Sequence, residues 1–136
     1  MSNIVLNREQ LAWAAGFMDG EGHFGVQTRL NKNRKTPYSH LILRACQIDI
    51  RVLEKLNSIL PGGHIHGPYL APNRQNPVWA FQISTFEKVQ HAVAILWPWL
   101  GPVKRIQAKK ALLNIQKYYQ RPKVKPGRKR NQPDDQ

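Results

Sequence analysis

Between Asn7 and Tyr119 the apolar positions change period several times, and each change marks an element. Leu11, Trp13, Ala14, Ala15, Phe17 and Met18 form a run too dense for strict alternation. It is opened by Asn7-Arg8-Glu9-Gln10, an N-cap residue with Gln three places on. That capping box predicts a first helix ending near Asp19. His23–Leu30 then alternates, with Phe24, Val26, Thr28 and Leu30 on one side and His23, Gly25, Gln27 and Arg29 on the other. The polar, basic stretch 31–37 reads as a hairpin loop. Ser39–Ile48 is the returning strand, setting Leu41, Leu43 and Ala45 against His40, Ile42 and Arg44.

Asp49 is placed to cap a second helix whose stripe is Val52, Leu53, Leu56, Ile59 and Leu60, ended by Pro61-Gly62-Gly63. His64–Tyr69 reads as a short strand, 71–77 as a Pro/Asn loop, and Val78–Ser84 as a strand that buries Trp79, Phe81 and Ile83. Ser84-Thr85-Phe86-Glu87 is a second capping box, opening a helix with Val89, Val93, Ile95 and Leu96 apolar. Trp97–Pro102 interrupts it. Lys104–Tyr119 is the last helix, with Ile106, Leu112, Leu113 and Ile115 apolar. The domain expected is 1–120, and 121–136, rich in Pro, Lys and Arg without periodicity, is expected to be a disordered basic tail.

The order is helix, two strands, helix, two strands, two helices. It predicts an α+β domain of αββαββα type, with a four-stranded antiparallel sheet and helices gathered on one face. The other face is left open, and Gln27, Arg29, His40, Arg44, His64, His66 and Gln82 fall on it. Such a face is commonly a solvated one. Charge changes that picture: Lys and Arg number 21 against 8 acids, a net charge of +13. An imbalance of that size in a small domain points to a polyanion, nucleic acid first. A twisted sheet carrying Arg and Gln can lie in the major groove, where Arg reads guanine and Gln reads adenine. Asn31, Arg34 and Arg74 extend the expected DNA contacts into the loops. A membrane is not expected as partner, since no apolar run reaches the roughly 18–20 residues of a spanning helix. The single cysteine, Cys46, allows no internal disulfide. The N-terminus resembles neither a signal nor a transit peptide, so an intracellular protein is expected, in a bacterial or archaeal cytoplasm or in an organelle that encodes it.

The stretch Leu11–Gly22, LAWAAGFMDGEG, carries the candidate chemistry. Its Ala and Gly positions allow close approach of another backbone. It ends in two carboxylates, Asp19 and Glu21, where the helix dipole is unfavourable to acids, so a compensating cation is called for. Gly20 and Gly22 are suited to stopping the helix through left-handed backbone angles. AAGFMDGEG, Ala14 to Gly22, resembles the motif of the LAGLIDADG homing endonucleases. Gly16, Asp19 and Gly22 match letter for letter, and Glu21 stands in the place of the metal-binding acid. The element order is similar to that of the single-motif members over about Arg8–Tyr119.

That resemblance implies a site-specific, metal-dependent hydrolysis of double-stranded DNA by a homodimer on a long, nearly palindromic target. It implies Glu21 as ligand to Mg²⁺ or another divalent cation such as Mn²⁺, with the Gly20 carbonyl beside it. Two motif helices would pack through Ala12, Ala15 and Gly16. Gln47, at the end of the second strand, matches a polar residue near the attacking water. Lys104, in the run PWLGPVKRIQAKKA that leads into the last helix, matches a basic residue near the scissile phosphate, with Arg105 as its substitute. For Asp19 a structural role is expected. The alternatives on the same scaffold are a maturase binding intron RNA and a DNA-binding protein that does not cut.

Overall fold

The computed structural model describes residues 7–30 and 37–120. The capping box at Asn7 forms: the Asn7 side-chain oxygen accepts from the Gln10 N–H at 2.7 Å, and the Asn7 N–H donates to Gln10 Oε1 at 3.5 Å. It starts helix α1, Arg8–Glu21. Strands β1, Gly22–Arg29, and β2, Tyr38–Gln47, follow. Asp49 caps helix α2, Ile50–Ile59, by accepting from the Arg51 N–H at 3.0 Å. The turn that ends α2 contains Gly62 at φ +103°, left-handed backbone that glycine adopts without strain. Strands β3, His64–Tyr69, and β4, Val78–Ile83, lead to helix α3, Phe86–Leu96. A 3₁₀ turn at Trp97–Trp99 precedes helix α4, Pro102–Gln120.

The strands form one antiparallel sheet in the order β1-β2-β4-β3. Its inner face carries Phe24, Leu41, Leu43, Ala45, Phe81 and Ile83, all nearly inaccessible to solvent. Each large apolar side chain so buried contributes about 1.5–3 kcal/mol. The helices cover this face, with α4 against β1 and β2, α3 against β2, and α2 against β2, β3 and β4. Helix α1 touches the other three helices and completes the core with Ala14, Ala15 and Met18. The expected α+β architecture, an open sheet with helices on one side, is therefore present. Among the described residues no helix is long and apolar enough to cross a membrane.

Three local expectations are corrected. Ser84-Thr85-Phe86-Glu87 does not close a capping box: Thr85 is the N-cap and makes no side-chain cap bond. Helix α4 buries Ala108, Ala111 and Ile115, while Ile106 and Leu113 are more than half exposed. Helix α1 runs through Gly20 to Glu21, and Gly22 ends it in extended backbone at φ −92°. Glycine is required at 22 by space, since a Cβ would run into Met18 Cε and stand 2.9 Å from the Met18 Cα. The tail 121–136 lies outside the described residues.

Candidate active site and nucleic-acid interface

The end of α1 is laced to the start of α4 by two contacts that cross in opposite directions. The Gly101 N–H, just ahead of α4, donates to both Asp19 carboxylate oxygens, at 3.0 and 3.1 Å. This puts a negative group at the N-terminus of α4, where the helix dipole favours it. In return, Lys104 Nζ donates to the Gly22 carbonyl oxygen at 2.6 Å. That carbonyl lies at the end of α1, where a cation is favoured. Arg105 is committed elsewhere, donating to the Trp97 and Pro98 carbonyl oxygens with its guanidinium 5.3 Å from the Trp97 ring centre. Lys104 and not Arg105 is therefore the basic group at the end of the acidic stretch.

The Glu21 side chain is exposed and makes no hydrogen bond or ion pair among the described residues. Gly20, one residue earlier, is exposed too, and as a late carbonyl of α1 its C=O finds no partner further along the helix. Gly22 pairs with Ala45 in the sheet, and Gln47 follows two residues later at the end of β2. The structure thus gathers Gly20, Glu21, Lys104 and Gln47 at one corner. The Gln47 side-chain oxygen accepts from the Ile48 N–H at 2.8 Å, leaving its amide N–H groups to point elsewhere. Gln107 was not singled out from sequence. Its side-chain oxygen accepts from the Phe24 N–H at 2.9 Å and fastens α4 beside the first residues of β1. No periodicity marks it.

The open sheet face assembles as expected, because the register pairs its members across strands. Gln27 faces His40, His23 faces Arg44, Arg44 faces Gln82, and Gln82 faces His64. Arg29 donates to Gln27 Oε1 at 3.3 Å, and His66 Nδ1 shares a hydrogen bond with the Tyr69 hydroxyl at 2.7 Å. Burial, then the nearby Arg29, holds His40 below the usual imidazole range. Burial, then Arg44 and His64, does the same for His66. Arg74 is exposed in the loop between β3 and β4. Asn31 and Arg34 lie outside the described residues. Among the described residues no group of three or more His, Cys, Asp or Glu is placed to hold a metal ion.

The outward side of α1 carries Ala12 and Gly16, both exposed, and a Cβ on Gly16 or Gly20 would meet nothing within 4 Å. Beside them Trp13 and Phe17 stack with ring centres 5.6 Å apart, and Lys55 sits 4.1 Å from the Trp13 ring centre. Ala15 belongs to the other side: it is fully buried in the chain's own core and is removed from the expected pairing surface. The reason is helical phase, since Ala14, Ala15 and Met18 share the inward face.

A family model described as LAGLIDADG endonuclease matches residues 14–101. Among solved structures, the homing endonuclease I-CvuI in complex with the I-CreI target is similar at 24% identity, over 83% of this chain and 69% of that one, with a TM-score of 0.69. The group I intron-encoded homing endonuclease I-CeuI, complexed with DNA, is similar at 16% identity over 86% of this chain and 59% of that one, with a TM-score of 0.63. The I-SmaMI LAGLIDADG homing endonuclease bound to cleaved DNA is similar at 24% identity over 88% of this chain and 40% of that one, with a TM-score of 0.60. Each of these likenesses is one of fold. No match was found among curated proteins.

Proposed function

The chain belongs to the LAGLIDADG endonuclease family, and from that premise we propose that it cuts double-stranded DNA at a specific, nearly palindromic site as a homodimer that depends on a divalent cation. The observation that carries this reading is the corner at the end of α1. There a carboxylate without an internal partner, an orphan carbonyl and a lysine stand together at one end of a basic, open sheet.

The donors available at that corner fit a hard divalent cation. Glu21 and the Gly20 carbonyl are oxygen ligands, and Mg²⁺ is commonly held by one or two carboxylates with waters and phosphate oxygens completing its shell. One carboxylate per chain fits a shared site between two protomers better than a closed site within one. When bound, the cation supplies charge neutralisation on the phosphate and a more acidic water. The chain's own residues do the rest. Lys104 places positive charge beside the position of the scissile phosphate, where charge grows in the transition state. The Gln47 amide orients a water for in-line attack. The open face sets the DNA in register, with Arg44, Arg29 and Gln27 toward base edges and surrounding basic groups toward phosphates.

Pairing through the outward side of α1 would bring two copies of Glu21 to one axis. Ala12, Gly16 and Gly20 leave that side free for close backbone contact. The site of action on this reading is intracellular, in a cytoplasm or in an organelle that encodes the chain.

The test is cleavage of a randomised double-stranded library in Mg²⁺ by the parent protein and by Glu21→Gln. The parent is expected to cut a narrow set of sequences. Glu21→Gln is expected to lose more than about 100-fold in cleavage while binding the same DNA, as removal of a group acting on the reacting phosphate should. Undiminished cutting by the variant removes Glu21 from the site.

A further inference from the structure

Arg44, on β2, and Gln82, its neighbour on β4, share the open sheet face. Arg44 Nη1 donates to Gln82 Oε1 at 2.8 Å. The Gln82 Nε2 donates in turn to Ser84 Oγ at 3.0 Å. The order of this chain is chemically fixed. A guanidinium can only donate, so the atom that Gln82 turns toward Arg44 is its oxygen, and its NH₂ must then face Ser84. The Ser84 hydroxyl accepts there and tethers the far side of an amide whose orientation Arg44 sets. Ser84 is not the cap of α3, the role its sequence position suggested, since Thr85 holds that place.

The consequence for recognition is specific. One N–H of Arg44 is spent on Gln82, which restrains the guanidinium, while its Nη2 and Nε edge makes no hydrogen bond among the described residues. That edge has the two-donor geometry that guanine O6 and N7 accept. Gln82 in turn has one oxygen lone pair and one N–H already engaged. Resting on the reading that this face lies in a DNA groove, we infer that Arg44, Gln82 and Ser84 form a single guanine-reading unit, in which Arg44 touches the base and Gln82 and Ser84 are positioning residues. This revises the sequence-based expectation that Gln82 contacts a base itself. His23 and His64, which flank the row on β1 and β3, are left as separate contacts.

The experiment is a base-by-base cleavage and binding profile of the full chain with Mg²⁺ on a library built around the site the parent selects. It compares Arg44→Ala, Gln82→Ala, Gln82→Glu, Ser84→Ala and the Arg44→Ala/Gln82→Ala double variant. Arg44→Ala is expected to lose on the order of 10- to 100-fold discrimination for G·C at one base pair of each half-site, the range of one bidentate base contact. Gln82→Ala should relax the same base pair, and the double variant should relax it no further than Arg44→Ala alone. Ser84→Ala should relax it by a few-fold. Gln82→Glu keeps an acceptor for Arg44 and should keep the guanine preference, which also separates positioning from misfolding. Relaxation of a different base pair by Gln82→Ala, an adenine preference lost in Gln82→Glu, or losses that multiply in the double variant would each overturn the unit. Those outcomes leave the nuclease reading standing, because the parent still selects and cuts a site. A parent that selects no sequence overturns both.

Discussion

Replacing Asp19 by Ala isolates the joint between α1 and α4. The carboxylate takes the Gly101 N–H on both oxygens, at 3.0 and 3.1 Å, and stands at the start of α4. A hydrogen bond to a charged acceptor contributes about 1.5–3 kcal/mol, and a negative charge at a helix N-terminus about 0.3–1 kcal/mol. Asp19 is exposed, which holds both contributions near their lower ends. The expected cost of Asp19→Ala is therefore about 2 kcal/mol, and that of Asp19→Asn, which keeps one neutral acceptor, about half. For a chain of this length that corresponds to a fall in Tm of about 6–10 °C for the alanine variant. Activity should fall as well. Lys104 lies on the first turn of α4 and reaches the Gly22 carbonyl across the same joint, so a loosened α4 moves it. Displacement of such a group by about 1 Å can cost up to about 100-fold in rate. Calorimetry and single-turnover cleavage in Mg²⁺ check the two effects together. An Asp19→Ala protein that melts within about 2 °C of the parent and cuts at the parental rate would refute the lacing as the device that sets Lys104.

Gly16→Leu should leave the fold intact, since nothing stands within 4 Å of the added carbon, and should strengthen the isolated helix by about 0.5–1 kcal/mol. It should nevertheless abolish self-association in sedimentation and, with it, cleavage; a normal dimer would exclude the outward side of α1 as the contact. Gly22→Ala should destabilise the chain by about 2–3 kcal/mol in urea unfolding, because the clash is with Met18 backbone as well as its side chain. A neutral result would mean that the helix end can shift. His40 and His66 are held below the ordinary value of 6.5 in the folded chain, so the unfolded chain binds protons more readily. Their contribution is complete above about pH 6.5 and is lost as pH falls through the folded values, and the urea midpoint should drop between about pH 7.5 and 5.5. A His40→Gln/His66→Gln variant should show a shallower drop; an unchanged slope assigns the effect to other groups.

Much of this architecture is written in local pattern. Asn7 and Gln10 announce the first cap, Asp49 the second, and the alternations around Phe24, Leu43 and Phe81 set the inner face because a period of two leaves no choice of side. The parts that were not readable depend on partners distant in sequence. Ser84 looks like a cap residue, but the packing of α3 on β2 starts that helix one residue later, with Thr85 at the N-cap. Ile106 and Leu113 look like core, but α4 packs on β1 and β2 through Ala108, Ala111 and Ile115, and close approach favours the smaller residues. Glycine at 20 and 22 suggested left-handed backbone, whereas the restriction at 22 is the volume of Met18. At the candidate site, Glu21 could be picked out by its place at the end of the acidic motif, and Lys104 only through the family resemblance. Their convergence, and the part Asp19 plays in it, required the fold that brings residues 19 to 22 beside 101 to 104.

The unpartnered carboxylate of Glu21 at the end of α1 has an arithmetic consequence. If a cut needs two copies of Glu21, then at concentrations well below the pairing constant the rate rises with the square of the amount of protein. On that proposal a host that translates the chain sparingly would be protected from stray breaks by dilution alone, and a brief burst of synthesis would be enough to release the activity.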